Sequence, residues 1–134
     1  MTPLEVITRY YDGCSAGDVD LMRSTLHPDV VHYFLAPNPG SAPVSGDEHL
    51  ARYWRKVQAR IDARWIVDHA LCSDAEAVVE WSMWWRPGGT GERVVTRGAE
   101  WFTFTEGRIV MRIRFRQHPF DFRNGDNRQK TQED

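Results

Sequence analysis

Apolar residues recur at helical spacing in three early stretches of the chain, then alternate with polar ones over four later stretches. Thr2-Pro3 opens a first helix, with a hydroxyl at the cap and proline at the first helical position, and Ile7, Tyr10, Tyr11 and Cys14 trace its apolar face. Gly17-Asp18 breaks and recaps the chain. Val19, Met22 and Leu26 form a second short stripe, which His27-Pro28 ends because a residue before proline avoids the helical region. Residues 29–35, β-branched and aromatic, predict a short strand. Three prolines, two glycines and two serines between Ala36 and Gly46 predict a loop of about eleven residues. Asp47 caps a third helix, whose apolar face is Leu50, Tyr53, Trp54, Val57 and Ile61.

Segments near 64–72, 76–86, 93–105 and 108–118 are rich in Val, Ile, Trp, Phe and Thr. Ser73-Asp74, the run Pro87-Gly88-Gly89-Thr90-Gly91 and Glu106-Gly107 separate them as turns. The pattern therefore predicts an α+β domain over residues 1–122, with three N-terminal helices followed by an antiparallel sheet. The polar tail at 123–134 has no apolar residue and is expected to be disordered.

Composition narrows the function. A chain of 134 residues with formal charge −2 and no long basic block has no electrostatic footprint for nucleic acid or an anionic membrane. It lacks an apolar run of spanning length and a basic-then-apolar leader, so a cytoplasmic location is the expectation. Cys14 and Cys72 have no metal-ligand spacing, and neither a metal nor a cofactor is expected. Aromatic residues make up 12% of the chain, and most of the tryptophans fall in predicted strands, where they fill a core or line a pocket.

The segments RYYDGCSAGD at 9–18, LHPDVVHYF at 26–34, PVSGDEHLARYW at 43–54 and GAEWFTFTEGRIV at 98–110 carry a resemblance in their order and spacing. Over about residues 4–119 the chain resembles the nuclear transport factor 2-like superfamily, which includes SnoaL-like cyclases, ketosteroid isomerases and limonene epoxide hydrolases. The resemblance implies a cone-shaped curved sheet whose helices enclose a pocket, a fold that hosts enzymes, binding modules and dimerisation domains alike. It also implies that Tyr10 stands where ketosteroid isomerases carry an oxyanion-hole tyrosine, and Glu100 where they carry its acidic partner. Phe34 stands in place of their aspartate base.

Strand alternation supplies the remaining candidates. Glu100 shares a face with Gly98, Phe102 and Phe104, and Phe34 with Val30 and His32. Trp65, Val67 and Leu71 share a face with His69, and Val79, Trp81, Met83 and Trp85 share another. His32 and His69 are the inward-facing groups with a near-neutral unperturbed pKa, so either could replace the missing base. Each could equally be a buried neutral histidine bonded to backbone, and Tyr10 a core tyrosine. A carboxylate among Trp101, Phe102 and Phe104 needs a partner, either an arginine or its own proton. Arg112, Arg114 and Arg116 alternate with Met111, Ile113 and Phe115. Plain amphipathicity points the arginines to water, whereas the resemblance turns 112 and 114 toward the pocket.

These residues point to a pocket protein for a small, partly hydrophobic molecule. Its expected activity is cofactor-free acid–base chemistry, of isomerase, cyclase, dehydratase or hydrolase type, carried by Tyr10, His32 and Glu100. Phe34, Trp54, Trp65, His69, Trp81, Met83, Phe102, Arg112 and Arg114 would line the substrate site. The alternative is a ligand-binding or dimerisation module without chemistry. Trp84 and Trp101, on the outer face, lead to the expectation of a homodimer.

Overall fold

A computed structural model describes residues 1–34 and 42–113 in full, together with the backbone of 114–116. Three helices, α1 (Pro3–Ala16), α2 (Val19–Thr25) and α3 (Asp47–Ile61), pack on a curved, unclosed six-stranded sheet. Its strands are β1 (Leu26–Phe34), β2 (Val44–Ser45), β3 (Arg64–Cys72), β4 (Glu76–Trp85), β5 (Val94–Thr105) and β6 (Arg108–Arg116). They lie in the order β2-β1-β6-β5-β4-β3. Among the described residues no helix is long and apolar enough to cross a membrane.

Local signals set the boundaries. A capping box opens α1: Glu5 N–H donates to Thr2 Oγ1 at 3.2 Å and Thr2 N–H to Glu5 Oε1 at 2.8 Å. Asp18 caps α2 through Leu21 N–H at 3.0 Å. Gly13 lets the two helices approach, since a Cβ there would lie 2.8 Å from the Met22 side chain.

Two features of the sheet differ from the sequence expectation. The first strand begins at Leu26 rather than residue 29, and it pairs parallel with β6 across an irregularity between Leu26 and Val31 that accommodates Pro28. Part of the expected loop forms the short β2, paired with Val31 and His32. The β4–β5 and β5–β6 pairs are the antiparallel meander that the alternation predicts. The expected tail at 123–134, and residues 35–41 of the expected loop, lie outside the described residues.

Candidate active site: a buried arginine–glutamate pair between two tyrosines

Cross-strand register builds the floor of the cone. His32 on β1 pairs with Arg112 on β6, which pairs with Phe102 on β5, so three side chains from three strands form one row on the inner face. Glu100 lies two residues from Phe102 and therefore on the same face. Arg112 and Glu100 are each only 1% exposed, and His32, Tyr10 and Phe102 are completely buried.

From above, α1 presents two successive tyrosines to this row. The Tyr11 hydroxyl donates to Glu100 Oε1, and Arg112 donates through Nη2 to Glu100 Oε2 and through Nη1 to the Tyr10 hydroxyl. Both carboxylate oxygens thus accept a buried donor. The guanidinium carbon lies 4.3 Å from the Tyr10 ring centroid, 5.3 Å from that of Phe102 and 5.7 Å from that of Trp54. Stacking on aromatic faces is favourable for a guanidinium, which is weakly hydrated and planar. Its Nε has no hydrogen-bond partner among the described residues.

Electrostatics follow from burial. Desolvation pushes both tyrosine hydroxyls well above the ordinary phenol range; the Glu100 carboxylate adds to this at Tyr11, while Arg112 works against it at Tyr10. For Arg112, desolvation disfavours the charge, but the Glu100 carboxylate and further neighbours outweigh it and hold the guanidinium above its usual value. The cluster therefore contains a permanent cation, a carboxylate ion-paired to it and two neutral hydroxyls.

His32 completes one side. Its ring is 4.3 Å from Phe34 and 5.5 Å from Trp54, both edge-on, and Trp54 meets Trp65 at 5.4 Å. Trp65, Trp81 and Met83 are buried in the same core. Of the sequence candidates, the structure thus brings Tyr10, His32, Glu100, Phe34, Trp54, Phe102 and Arg112 into one connected aromatic and charged cluster. For β6, the resemblance and not plain amphipathicity predicted the side on which Arg112 lies. The Arg114 side chain lies outside the described residues.

His69 is a correction. Its side chain is 82% exposed and bonds Glu80 at 2.7 Å, and Leu71, expected beside it on the inner face, is 76% exposed. The register of β3 against β4 shifts between Val67 and His69, so every residue beyond the bulge points to the opposite side from the one alternation gives. Tyr11 is the residue that sequence reasoning missed. It stood on the same apolar helical face as Tyr10, and only the resemblance singled out one of the two.

Among the described residues no group of three or more His, Cys, Asp or Glu side chains is arranged to hold a metal ion. The SnoaL-like domain family model matches residues 7–112. The chain belongs to the SnoaL-like domain family. Among solved structures, this SnoaL-like chain is similar to a protein of unknown function with a cystatin-like fold from Methylobium petroleophilum PM1. That match has 31% identity and a TM-score of 0.76, covering 87% of this chain and 76% of the other. It shares its fold with an LEH-like epoxide hydrolase of M. tuberculosis, at 18% identity and TM-score 0.70, covering 86% and 82% of the two chains. It also shares it with a ketosteroid isomerase-like protein from Catenulispora acidiphila DSM 44928 in complex with trimethylamine, at 13% identity and TM-score 0.72, covering 86% of each chain. No curated protein matches the chain.

Proposed function

We propose that this SnoaL-like chain is a cofactor-free acid–base enzyme acting on a small, partly hydrophobic, carbonyl-bearing molecule. The observation that carries the reading is the Arg112–Glu100 pair, buried in an aromatic cup and braced by two tyrosine hydroxyls. Replacing a buried ion pair with well-packed apolar groups is often neutral or stabilising by about 1–4 kcal/mol, so stability alone is a weak reason to keep one. Fixed charge in a dry site is, by contrast, what stabilises charge developing on a substrate oxygen.

In this reading the roles divide by donor capacity. Glu100 accepts on both oxygens, so it and Tyr11 orient the guanidinium rather than donate to substrate. Arg112 and the Tyr10 hydroxyl meet the developing oxyanion. His32, in register with Arg112, moves the proton at the carbon next to the carbonyl. Proton removal with charge gathering on oxygen is common to isomerisation, cyclisation and dehydration, and the same donors would serve a hydrolase. An epoxide hydrolase-like protein and a protein holding a small amine among the neighbours of like fold accord with small-molecule chemistry. The reading includes a cytoplasmic homodimer joined through the outer sheet face, where Trp84 and Trp101 are 42% and 41% exposed.

A second reading, a binding module without chemistry, is favoured by the full neutralisation of Glu100 by Arg112 and by the packing of Trp54 on Trp65. Proton exchange separates the two. Small enolisable ketones such as cyclohexanone and 2-tetralone are incubated with the protein in D2O, and α-deuteration is followed by NMR. The enzyme reading expects protein-dependent exchange that is lost in His32→Gln; ketone resonances broadened by binding but not exchanged would establish the binding module instead.

A further inference from the structure

At the end of α3 the chain gathers three arginines around one acid. Asp62 caps the helix in the left-handed conformation (φ 51°), with its N–H donating to Gln58 O at 2.8 Å. Its Oδ2 accepts from Arg86 Nε at 2.9 Å and Arg93 Nη2 at 2.5 Å, and its Oδ1 lies 3.7 Å from Arg64 Nη2. These arginines come from the start of β3, the end of β4 and the entry to β5, which the β4–β5 connection holds together. Arg86 N–H donates to Ile61 O at 2.7 Å. Arg86 Nη1 donates to Gly91 O. Gly89, at φ 83°, passes so close to α3 that a Cβ would lie 2.6 Å from Arg60 O.

The charges do not balance. Three guanidinium groups share one carboxylate, an excess of two positive charges, and the Asp62 carboxyl is held below its ordinary range by the Arg86 and Arg93 hydrogen bonds. Glu92, beside Arg93 in sequence, is exposed, and Asp12 lines a surface depression together with Arg64, but neither acid makes an ion pair with these arginines among the described residues. Arg93 Nε is screened from solvent and has no acceptor among them. The Arg64, Arg86 and Arg93 side chains nevertheless keep 54%, 35% and 29% exposure, so an anion can reach the group from solvent.

We propose that Arg64, Arg86 and Arg93 form a surface site for a dianionic phosphate group. The charge excess of two matches a phosphate dianion and is only half met by a carboxylate. Guanidinium forks suit the tetrahedral array of oxygen acceptors, and the loop clasp fixes the groups before the ligand arrives. None of these residues belongs to the buried Arg112 cluster, so the site is independent of the catalytic reading.

Isothermal titration calorimetry of the full chain with inorganic phosphate, chloride replacing it at equal ionic strength in the blank, tests the proposal. Saturable binding is expected, stronger at pH 8 than at pH 6 because the second ionisation of inorganic phosphate falls between those two values and the dianion is the form the site fits. Arg64→Gln removes the most exposed guanidinium and should weaken binding about tenfold, the loss of one charge-assisted contact. Asp62→Asn raises the charge excess to three; its melting temperature should fall in chloride and recover as phosphate is added, more steeply than for the parent chain. Phenyl phosphate in the same titration identifies the source: affinity tighter than that of the free ion assigns a phosphate monoester, and equal or weaker affinity assigns inorganic phosphate. Absence of saturable heat with the parent chain, together with no phosphate-specific recovery of Asp62→Asn, overturns the site.

Discussion

The hydroxyl of Tyr11 donates to the carboxylate of Glu100 across 89 positions of sequence, while its neighbour Tyr10 accepts from Arg112 on the other side of the same ion pair. Successive residues of one helix turn thus hold opposite partners of a buried salt bridge. Tyr11 fixes the anion and Tyr10 the cation.

The pair predicts a non-additive mutational pattern. Arg112→Met leaves Glu100 as an uncompensated buried charge and should cost roughly 3–5 kcal/mol, whereas Arg112→Met combined with Glu100→Leu should recover most of that loss. Urea unfolding of Arg112→Met, Glu100→Leu and the double variant measures it; additive losses would mean that the two groups do not act as a unit.

Tyr11→Phe removes the donor to one Glu100 oxygen and keeps the ring that meets Phe102 edge-on at 6.1 Å. The expected loss is about 1–3 kcal/mol, the cost of leaving a buried acceptor unmade. If Tyr11 orients Glu100 and Arg112 for catalysis, ketone exchange should slow with little change in ketone affinity. A stability loss without that split would limit Tyr11 to a structural role.

Alkaline pH should reveal both buried phenols. Their folded-state pKa values are raised, so the stability they contribute is complete below the unfolded value near 10 and is lost as pH rises toward the folded values. Phenolate absorbance of Tyr10 and Tyr11 should therefore emerge only above that value and together with unfolding. Tyr10→Phe and Tyr11→Phe should each remove one such late component.

His69 and His32 should behave oppositely. His69→Ala, at an exposed site, should alter stability by no more than about 0.5 kcal/mol and leave ketone exchange intact. His32→Gln should abolish exchange. Loss of exchange in His69→Ala would return that residue to the site.

The outer face predicts a homodimer that a charge can split. Light scattering at micromolar concentration should give twice the chain mass, and Trp84→Glu with Trp101→Glu should give the monomer. A monomeric parent chain would remove the dimer from the reading.

How much of this was legible in the chain differs from one residue to the next. Thr2-Pro3 and Asp18 announced their helices because caps satisfy backbone donors locally, and the turns at Ser73-Asp74 and Glu106-Gly107 separated strands by local sterics. Trp81, Phe102 and Glu100 faced inward as alternation required, because successive side chains of a regular strand point to opposite faces. That logic failed at His69, because a bulge adds one residue on one strand and leaves no mark in the pattern of apolar and polar positions.

Tertiary structure decided the rest. Tyr10 and Tyr11 lie about 100° apart on the helix, both within a broad apolar stripe, so only the packing of α1 over the sheet assigned Glu100 to one and Arg112 to the other. The alternating arginines of β6 fitted either face from sequence alone. Arg112 turned inward because the adjoining strand places Glu100 within reach, and a buried guanidinium is tolerable only opposite such a charge.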